Sequence, residues 1–282
     1  MSAEASSVAQ SQLDLYDFFS VLLPGVYFLI TLIPIVPKSL PLGTATAAVV
    51  LLVTGYVVGR ALHTAAESRD KSPSNRETFI NAITSRDEGD SEPLLSDRAR
   101  NLLQMLPNWL NIIPVLEWIS RAIHEQKESN PILNDPLKDR FYEAVSVDSE
   151  VSVPPDRTQA DETDLTTLYV YARSRLYQHG NVRSGSFQAI YSFYRSTYLA
   201  TLVAAVIYGA YAIGDAIGYW SEVGNYTTFI GGLDLPAAAI LAAAEVVLIA
   251  GLLTLHDAKD DYRKYYIEYL IVDYLTIRSA DQ

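Results

Sequence analysis

The sequence predicts an all-α integral membrane protein with four transmembrane helices and a helical, partly disordered cytoplasmic insertion between helices 2 and 3. The first observation behind this prediction is a set of four separated apolar stretches, at 18–36, 44–62, 198–219 and 235–255. An α-helix rises about 1.5 Å per residue, so roughly 20 apolar residues cross the hydrocarbon core of a bilayer. Each stretch is therefore long enough to form a membrane span.

The second observation is the uneven distribution of basic residues. Of the 21 Lys and Arg residues, only Lys38 falls in the two connections 37–43 and 220–234. Because Lys and Arg concentrate on the cytoplasmic side of membrane proteins, we expect both termini and the segment between spans 2 and 3 in the cytoplasm. The predicted location is the cell (inner) membrane, with multiple passes.

These two observations divide the chain into five parts. They are a cytoplasmic tail at 1–17, a transmembrane hairpin at 18–62, a cytoplasmic insertion at 63–195, a second hairpin at 196–255 and a tyrosine-rich cytoplasmic tail helix at 256–282. The net charge of −12 leaves no basic surface for the phosphates of a nucleic acid. The acidic composition is typical of halophilic proteins, and the lack of cysteine excludes disulfides and thiolate metal ligands.

Small residues and one proline mark the spans. Pro24 lacks a backbone donor and Gly25 loosens the helix, so this pair predicts a kink and is a candidate hinge. Small residues four apart let another helix approach closely, because there is little side chain between the backbones. Spans 2 and 3 each carry such a face, which we interpret as a seam within one chain or between subunits: Gly55, Gly59, Ala210, Gly214 and Gly218.

Glu245 lies at the midpoint of span 4, among alanine and valine. An ionised carboxylate at the centre of a bilayer costs about 2.5 kcal/mol or more, so we expect it to be protonated, paired or hydrated. Two interpretations stay open: an ion or proton site, or a protonated carboxyl that donates one hydrogen bond between helices. The other polar candidates inside the spans are Asp215, Tyr56, Tyr208 and Tyr211.

The insertion alternates polar and helical segments. Residues 66–97 read as a mobile linker with one short helix at most, and 101–125 is predicted either to lie in the membrane interface or to join a cytoplasmic bundle. Helices are predicted at 137–145 and 164–177, and a third from about Ser186 continues into span 3. The tyrosine stripe of the tail is expected to pack on residues 165–176 or on another subunit.

The sequence carries no recognisable catalytic motif, cofactor site or set of metal ligands, so we expect a protein that is not an enzyme. The leading hypothesis is a multi-pass scaffold, sensor or effector that couples its cytoplasmic helical region to the membrane. The alternative is an ion channel or transporter that uses Glu245. Expected partners are the lipid bilayer and, through the insertion, a second copy of the chain or another protein, but no nucleic acid.

Overall fold

The computed structural model describes residues 16–35, 44–69, 74–84, 133–149, 153–179, 183–217 and 237–281. All regular structure in these ranges is helical, which confirms the all-helical prediction for the described part of the chain. The elements are a π-helical turn at Phe18–Leu22, α1 at Leu23–Leu32, a 3-10 turn at Ile33–Ile35, α2 at Thr44–Arg69, α3 at Asn75–Thr84, α4 at Asp135–Ser149, a 3-10 turn at Arg157–Gln159, α5 at Glu162–His179, α6 at Arg183–Ala216 and α7 at Ala237–Asp281.

Among the described residues, three helices are long and apolar enough to cross a membrane, over Ala45–Arg69, Arg183–Gly214 and Leu241–Ala280. The first apolar helix, Phe18–Leu32, is shorter. Helix α2 continues past the predicted end of span 2 at residue 62, and α6 and α7 run without interruption from the apolar stretches into polar sequence. The predicted segment 101–125 lies outside the described residues.

The chain divides into two compact units, which are described separately. The first unit comprises Met1–Thr78 and Ala172–Gln282, and the second comprises Phe79–Tyr171. The first unit contains all the long apolar helices, whereas the second contains α4 and the ends of α3 and α5.

The apolar helices of the first unit pack in alternating directions. Val21 lies beside Gly59 and Val26 beside Gly55, so α1 and α2 are antiparallel. Helix α6 runs parallel to α1 and antiparallel to α7, as the paired contacts along each helix show. The result is an up-and-down arrangement of four helices. One core cluster joins α1 to both α6 and α7, and a second cluster joins α2 to α6.

The α1–α2 contact depends on glycine at three positions. A Cβ atom built on Gly25 would lie 1.8 Å from the carbonyl oxygen of Gly55, and one built on Gly59 would lie 1.9 Å from the carbonyl oxygen of Val21. Because both obstacles are backbone atoms, neither can move aside without separating the helices. The predicted glycine face of span 2 therefore packs within the chain, against the glycine of span 1.

The π-helical turn ends two residues before Pro24. The backbone N–H of Leu23 donates to the oxygen of Phe18, five residues back, and Pro24 has no N–H to continue the ladder. Pro24 and Gly25 are both buried. The candidate hinge thus lies inside the α1–α2 contact, where the backbones are closest.

The second unit has its own apolar core. The rings of Phe79 and Phe141 are 5.8 Å apart and those of Phe79 and Tyr169 are 5.1 Å apart, so α3, α4 and α5 converge on one aromatic side chain. Phe79 and Phe141 are almost fully buried. The sequence predicted a mobile linker with one short helix at most, and α3 is such a helix, whose apolar patch with Phe79 is packed into this core.

Buried polar groups fix the remaining segments of the second unit. The guanidinium of Arg157 donates to Asp139 at 2.8 Å, to Asp135 at 3.3 Å and to the carbonyl of Ile83. The Tyr142 hydroxyl donates to the carbonyl of Pro154 at 2.7 Å, and burial raises the pKa of Tyr142, so the hydroxyl keeps its proton. These bonds attach the segment 153–159 to α4.

Replacing Gly59 by valine should separate α1 from α2, because the new side chain would meet the backbone of Val21. We expect a loss of about 3 kcal/mol or more in the free energy of unfolding, at the upper end for an overpacked core. Denaturation by SDS titrated into a mild detergent measures it. The matched control is Val57→Leu on the exposed face of the same helix; an equal and small effect of both changes would contradict the close contact.

Candidate functional site

In the part of the chain that the structure describes, four hydrogen bonds connect α6 to the α1–α2 hairpin and to Tyr16 just before it, and they form a ladder of polar contacts between apolar helices. The hydroxyls of Tyr16 and Ser192 are 3.1 Å apart, and those of Tyr27 and Thr201 are 3.0 Å apart. The hydroxyl of Tyr208 donates to the carbonyl of Thr31 at 2.7 Å. The fourth contact joins His63 Nδ1 to the Ser196 hydroxyl at 3.2 Å.

The geometry of this ladder follows from the small hydroxyl residues of α6. Ser196 and Thr201 are fully buried, and Thr201 also donates to the carbonyl of Thr197 in the preceding turn. Short side chains allow the neighbouring helix to approach, while their oxygens still offer a hydrogen-bond partner to a longer tyrosine or histidine. The ladder therefore sets both the spacing and the register of α6 against the hairpin.

His63 is the titratable member of the ladder and is only 7% exposed. Its ring meets the ring of Tyr16 edge-on, with 6.1 Å between centroids. Four charged groups act on it electrostatically: Arg195, Glu67, Arg60 and Asp17. His63 thus lies where the apolar part of the bundle gives way to charged sequence.

The N-terminal half of α6 and the C-terminal half of α7 form a pair of helices held together by aromatic rings, which we name the stalk (183–198 of α6 with 256–281 of α7); the stalk includes the ladder residues Ser192 and Ser196. Phe187 stacks on Tyr269 with centroids 4.4 Å apart and an interplanar angle of 17°. Tyr194 stacks on Tyr262 at 5.1 Å and 21°. The tyrosine stripe of the tail, expected on residues 165–176 or another subunit, packs here against α6 of its own chain.

Cations lie over the tyrosine rings in the half of the stalk nearer the ladder. The guanidinium of Arg263 lies 5.0 Å from the centre of the Tyr191 ring and also donates to the Tyr191 hydroxyl at 3.1 Å. Lys259 lies 5.8 Å from the centre of the Tyr198 ring. Arg263 and Lys259 are both buried, so these contacts replace much of the hydration that the cations would have in water.

The far end of the stalk is closed by a charged cap. Helix α6 begins at Arg183, so the backbone N–H of Ser184 has no partner within the helix. It donates to the carboxylate of Asp273 on α7 at 2.8 Å, and both residues are buried. A carboxylate at a helix N-terminus also interacts favourably with the helix dipole. One side chain of α7 therefore caps α6.

Glu245 occupies the apolar half of α7. Its Oε2 atom is buried and has no hydrogen-bond partner among the described residues. Of the predicted neighbours, Tyr208 donates its hydroxyl to Thr31, Tyr211 packs at the edge of the α6–α7 core cluster and Tyr56 is 44% exposed on the outward face of α2. The Tyr208 hydroxyl is therefore bonded to Thr31 and not to Glu245. Among the described residues, the Oε2 atom of Glu245 lies in an apolar environment.

The second predicted small-residue face is divided in the structure. Ala210 is exposed, whereas Gly214 is buried. Asp215 belongs to the last turn of α6, and Gly218 lies outside the described residues. The described part of this face is therefore not one continuous buried stripe, in contrast to the face formed by Gly55 and Gly59.

Ionic groups near the start of the stalk form pairs. His256 Nδ1 is 3.7 Å from a carboxylate oxygen of Asp257 and 3.7 Å from one of Asp260. Within the described ranges, no group of three or more His, Asp or Glu side chains is arranged to hold a metal ion.

Sequence reasoning missed the ladder and the cap. Serine and threonine in an apolar helix ordinarily bond to their own backbone, as Thr31 does to the carbonyl of Tyr27. One available signal was the recurrence of hydroxyl residues four or five apart at Ser192, Ser196 and Thr201 along an otherwise apolar and aromatic stretch of α6.

Comparison with protein-family models, with curated proteins and with solved structures finds no match for this chain. The functional argument consequently rests on the contacts of the chain itself.

Replacing Tyr208 by phenylalanine should remove one bond of the ladder while keeping the ring. We expect the free energy of unfolding in detergent to fall by about 1 kcal/mol, which is typical of a hydrogen bond between membrane helices. Tyr56→Phe, which removes a hydroxyl from the exposed face of α2, is the matched control and should change little. If both variants unfold at the same denaturant concentration as the wild type, the Tyr208 bond does not stabilise the bundle.

Proposed function

We propose that this chain is a four-span, non-enzymatic membrane protein that acts as a scaffold, sensor or effector by coupling a cytoplasmic helical unit to its membrane bundle. The observation that carries the proposal is the continuity of α6 and α7. Each runs unbroken from the apolar bundle into the stalk, over 34 and 45 residues respectively.

The lengths support helices that extend far beyond the bilayer. At about 1.5 Å per residue, the 45 residues of α7 extend for about 67 Å, against about 30 Å for the hydrocarbon core. The charged residues of α7 concentrate after His256, which supports placing this half outside the membrane. A displacement of the stalk would therefore be carried directly into the spans.

The position of α1 supports counting it as a fourth span. Counted from Tyr16, just before the π-helical turn, to Thr31 in α1, the bonds to α6 reach from Ser192 to Tyr208, which covers 16 residues of α6 or about 24 Å of rise. Ile35, just after α1, belongs to the same core cluster as Leu241 of α7. With four spans, residues 16 and 281 would lie on the same side of the membrane, and the distribution of basic residues supports the proposal that this side is the cytoplasm.

The composition of the second unit supports a role in binding a protein partner. Between Phe79 and Tyr171 the sequence has 17 acidic and 8 basic residues, and this strong negative charge disfavours nucleic acid. The unit is compact and has its own aromatic core, so it can present a defined surface. A homo-oligomer through this unit is part of the same proposal.

A channel or transporter that uses Glu245 is the second candidate function. The buried Oε2 atom without a described partner favours it, because a desolvated carboxyl can bind a proton or a cation. The coupling proposal treats the same residue as a neutral carboxyl within the bundle.

Coupling predicts that a change at the far end of the stalk reaches the ladder. Asp273→Ala removes the cap of α6 and should increase amide hydrogen exchange in peptides covering 196–201, about 18 Å or more from the cap. Exchange measured by mass spectrometry on protein in nanodiscs reports this directly.

The matched control is Thr276→Ala, one turn farther along α7, where the hydroxyl bonds only to its own helix. It should leave the exchange unchanged. Faster exchange confined to residues near the cap, with none at the ladder, would show that the stalk does not transmit a disturbance to the membrane bundle.

Ion flux separates the two candidate functions. In proteoliposomes at high salt, the coupling proposal predicts no basal flux for the wild type or for Glu245→Gln, and the same thermal stability for both. Flux through the wild type that is lost in Glu245→Gln would instead support the channel or transporter, with the carboxyl as part of its path.

A further inference from the structure

A groove of about 570 Å³ lies on the outward face of α2. Its lining residues, so far as the structure describes them, all belong to this one helix: Tyr56, Val57, Arg60, Ala61, Thr64, Ala65 and Ser68. The groove begins beside the ring of Tyr56, passes the guanidinium of Arg60 and ends at Ser68.

One end of the groove is apolar and continues into the surface of the span. Val57 is 63% exposed and Val53, one turn earlier, is 61% exposed. In a chain that crosses a bilayer, such side chains face the acyl chains of lipid. An occupant of this end must therefore be soluble in hydrocarbon.

The middle of the groove carries a cation. Arg60 is exposed, and in the described part of the chain no ion pair is formed by its guanidinium. Arg60 lies 16 residues after Thr44, where α2 begins, which corresponds to about 24 Å of rise and places it near the edge of the hydrocarbon core. A long arginine side chain at this depth reaches the headgroup region.

We propose that this groove binds an anionic phospholipid. The phosphate forms a charge-assisted pair with the Arg60 guanidinium, whose fork of donors matches two phosphate oxygens. The hydroxyls of Thr64 and Ser68 lie on the headgroup side, and one acyl chain follows Val57 and Val53. A phospholipid is apolar at one end and anionic at the other, so it can cover the apolar end of the groove and also pair with Arg60. A soluble peptide would not enter the hydrocarbon region beside Val57 and Val53.

The test measures lipid binding to the intact protein by native mass spectrometry from detergent, with phosphatidylglycerol as the probe and phosphatidylcholine as the reference. Arg60→Gln should weaken phosphatidylglycerol binding by about fivefold, which is the effect of one basic residue near an anionic surface. Binding of phosphatidylcholine should change much less. Ala61→Leu, which keeps the charge but fills the groove, should also weaken binding.

The matched control is Arg69→Gln, which removes an exposed arginine from the same helix outside the groove. It should leave phosphatidylglycerol binding unchanged, and thermal unfolding in detergent without added lipid verifies that all three variants are folded. Equal losses in Arg60→Gln and Arg69→Gln would overturn the proposal, because attraction would then be a general effect of surface charge.

Two further results would overturn the proposal. The first is unchanged phosphatidylglycerol binding in both Arg60→Gln and Ala61→Leu. The second is equal thermal protection of the wild type by inorganic phosphate alone, because the site would then bind a free anion without using the apolar end of the groove.

Discussion

The structure depends above all on one constraint, which is that α6 must contact three other helices at short range. Its buried face achieves this with Ser192, Ser196 and Thr201 toward the hairpin and with alanines such as Ala204 toward α7. Inside lipid there is no hydrophobic force to drive helices together, so close packing and hydrogen bonds must hold them. The small side chains of α6 allow both at once, and the positions of α1, α2 and α7 follow from them.

The character of the helix contacts changes along the α6–α7 pair, in accordance with its surroundings. In the apolar half, alanine and leucine pack closely, as around Ala205 and Leu241. In the stalk, stacked rings such as Phe187 on Tyr269 bury a large apolar area between helices that are otherwise polar. The Asp273 cap then closes the end. The pair is thus held by packing in one half and by aromatic stacking and charge in the other, without a break in either helix.

The sequence predicted the helices well and their partners poorly. Helix content and the extension of α6 and α7 depend on local composition, which is visible in any window of the chain. The pairing of Gly55 and Gly59 with Gly25 depends on which helix lies opposite, and periodicity contains no such information. The ladder was missed for the same reason, because the role of Ser196 is set by His63, 133 positions away. The core position of Phe79 was hidden by the polar residues around it.

The most direct test of the central claim measures two distances in lipid nanodiscs by electron spin resonance. One pair of labels, at Ser186→Cys and Lys264→Cys, reports on the stalk, and the other, at Leu202→Cys and Val247→Cys, reports on the apolar half; all four positions are exposed and the chain has no other cysteine. A rod continuous through the membrane predicts a narrow distance distribution for both pairs. A broad distribution for the stalk pair beside a narrow one for the other would contradict the account, because α6 and α7 would then separate outside the bilayer.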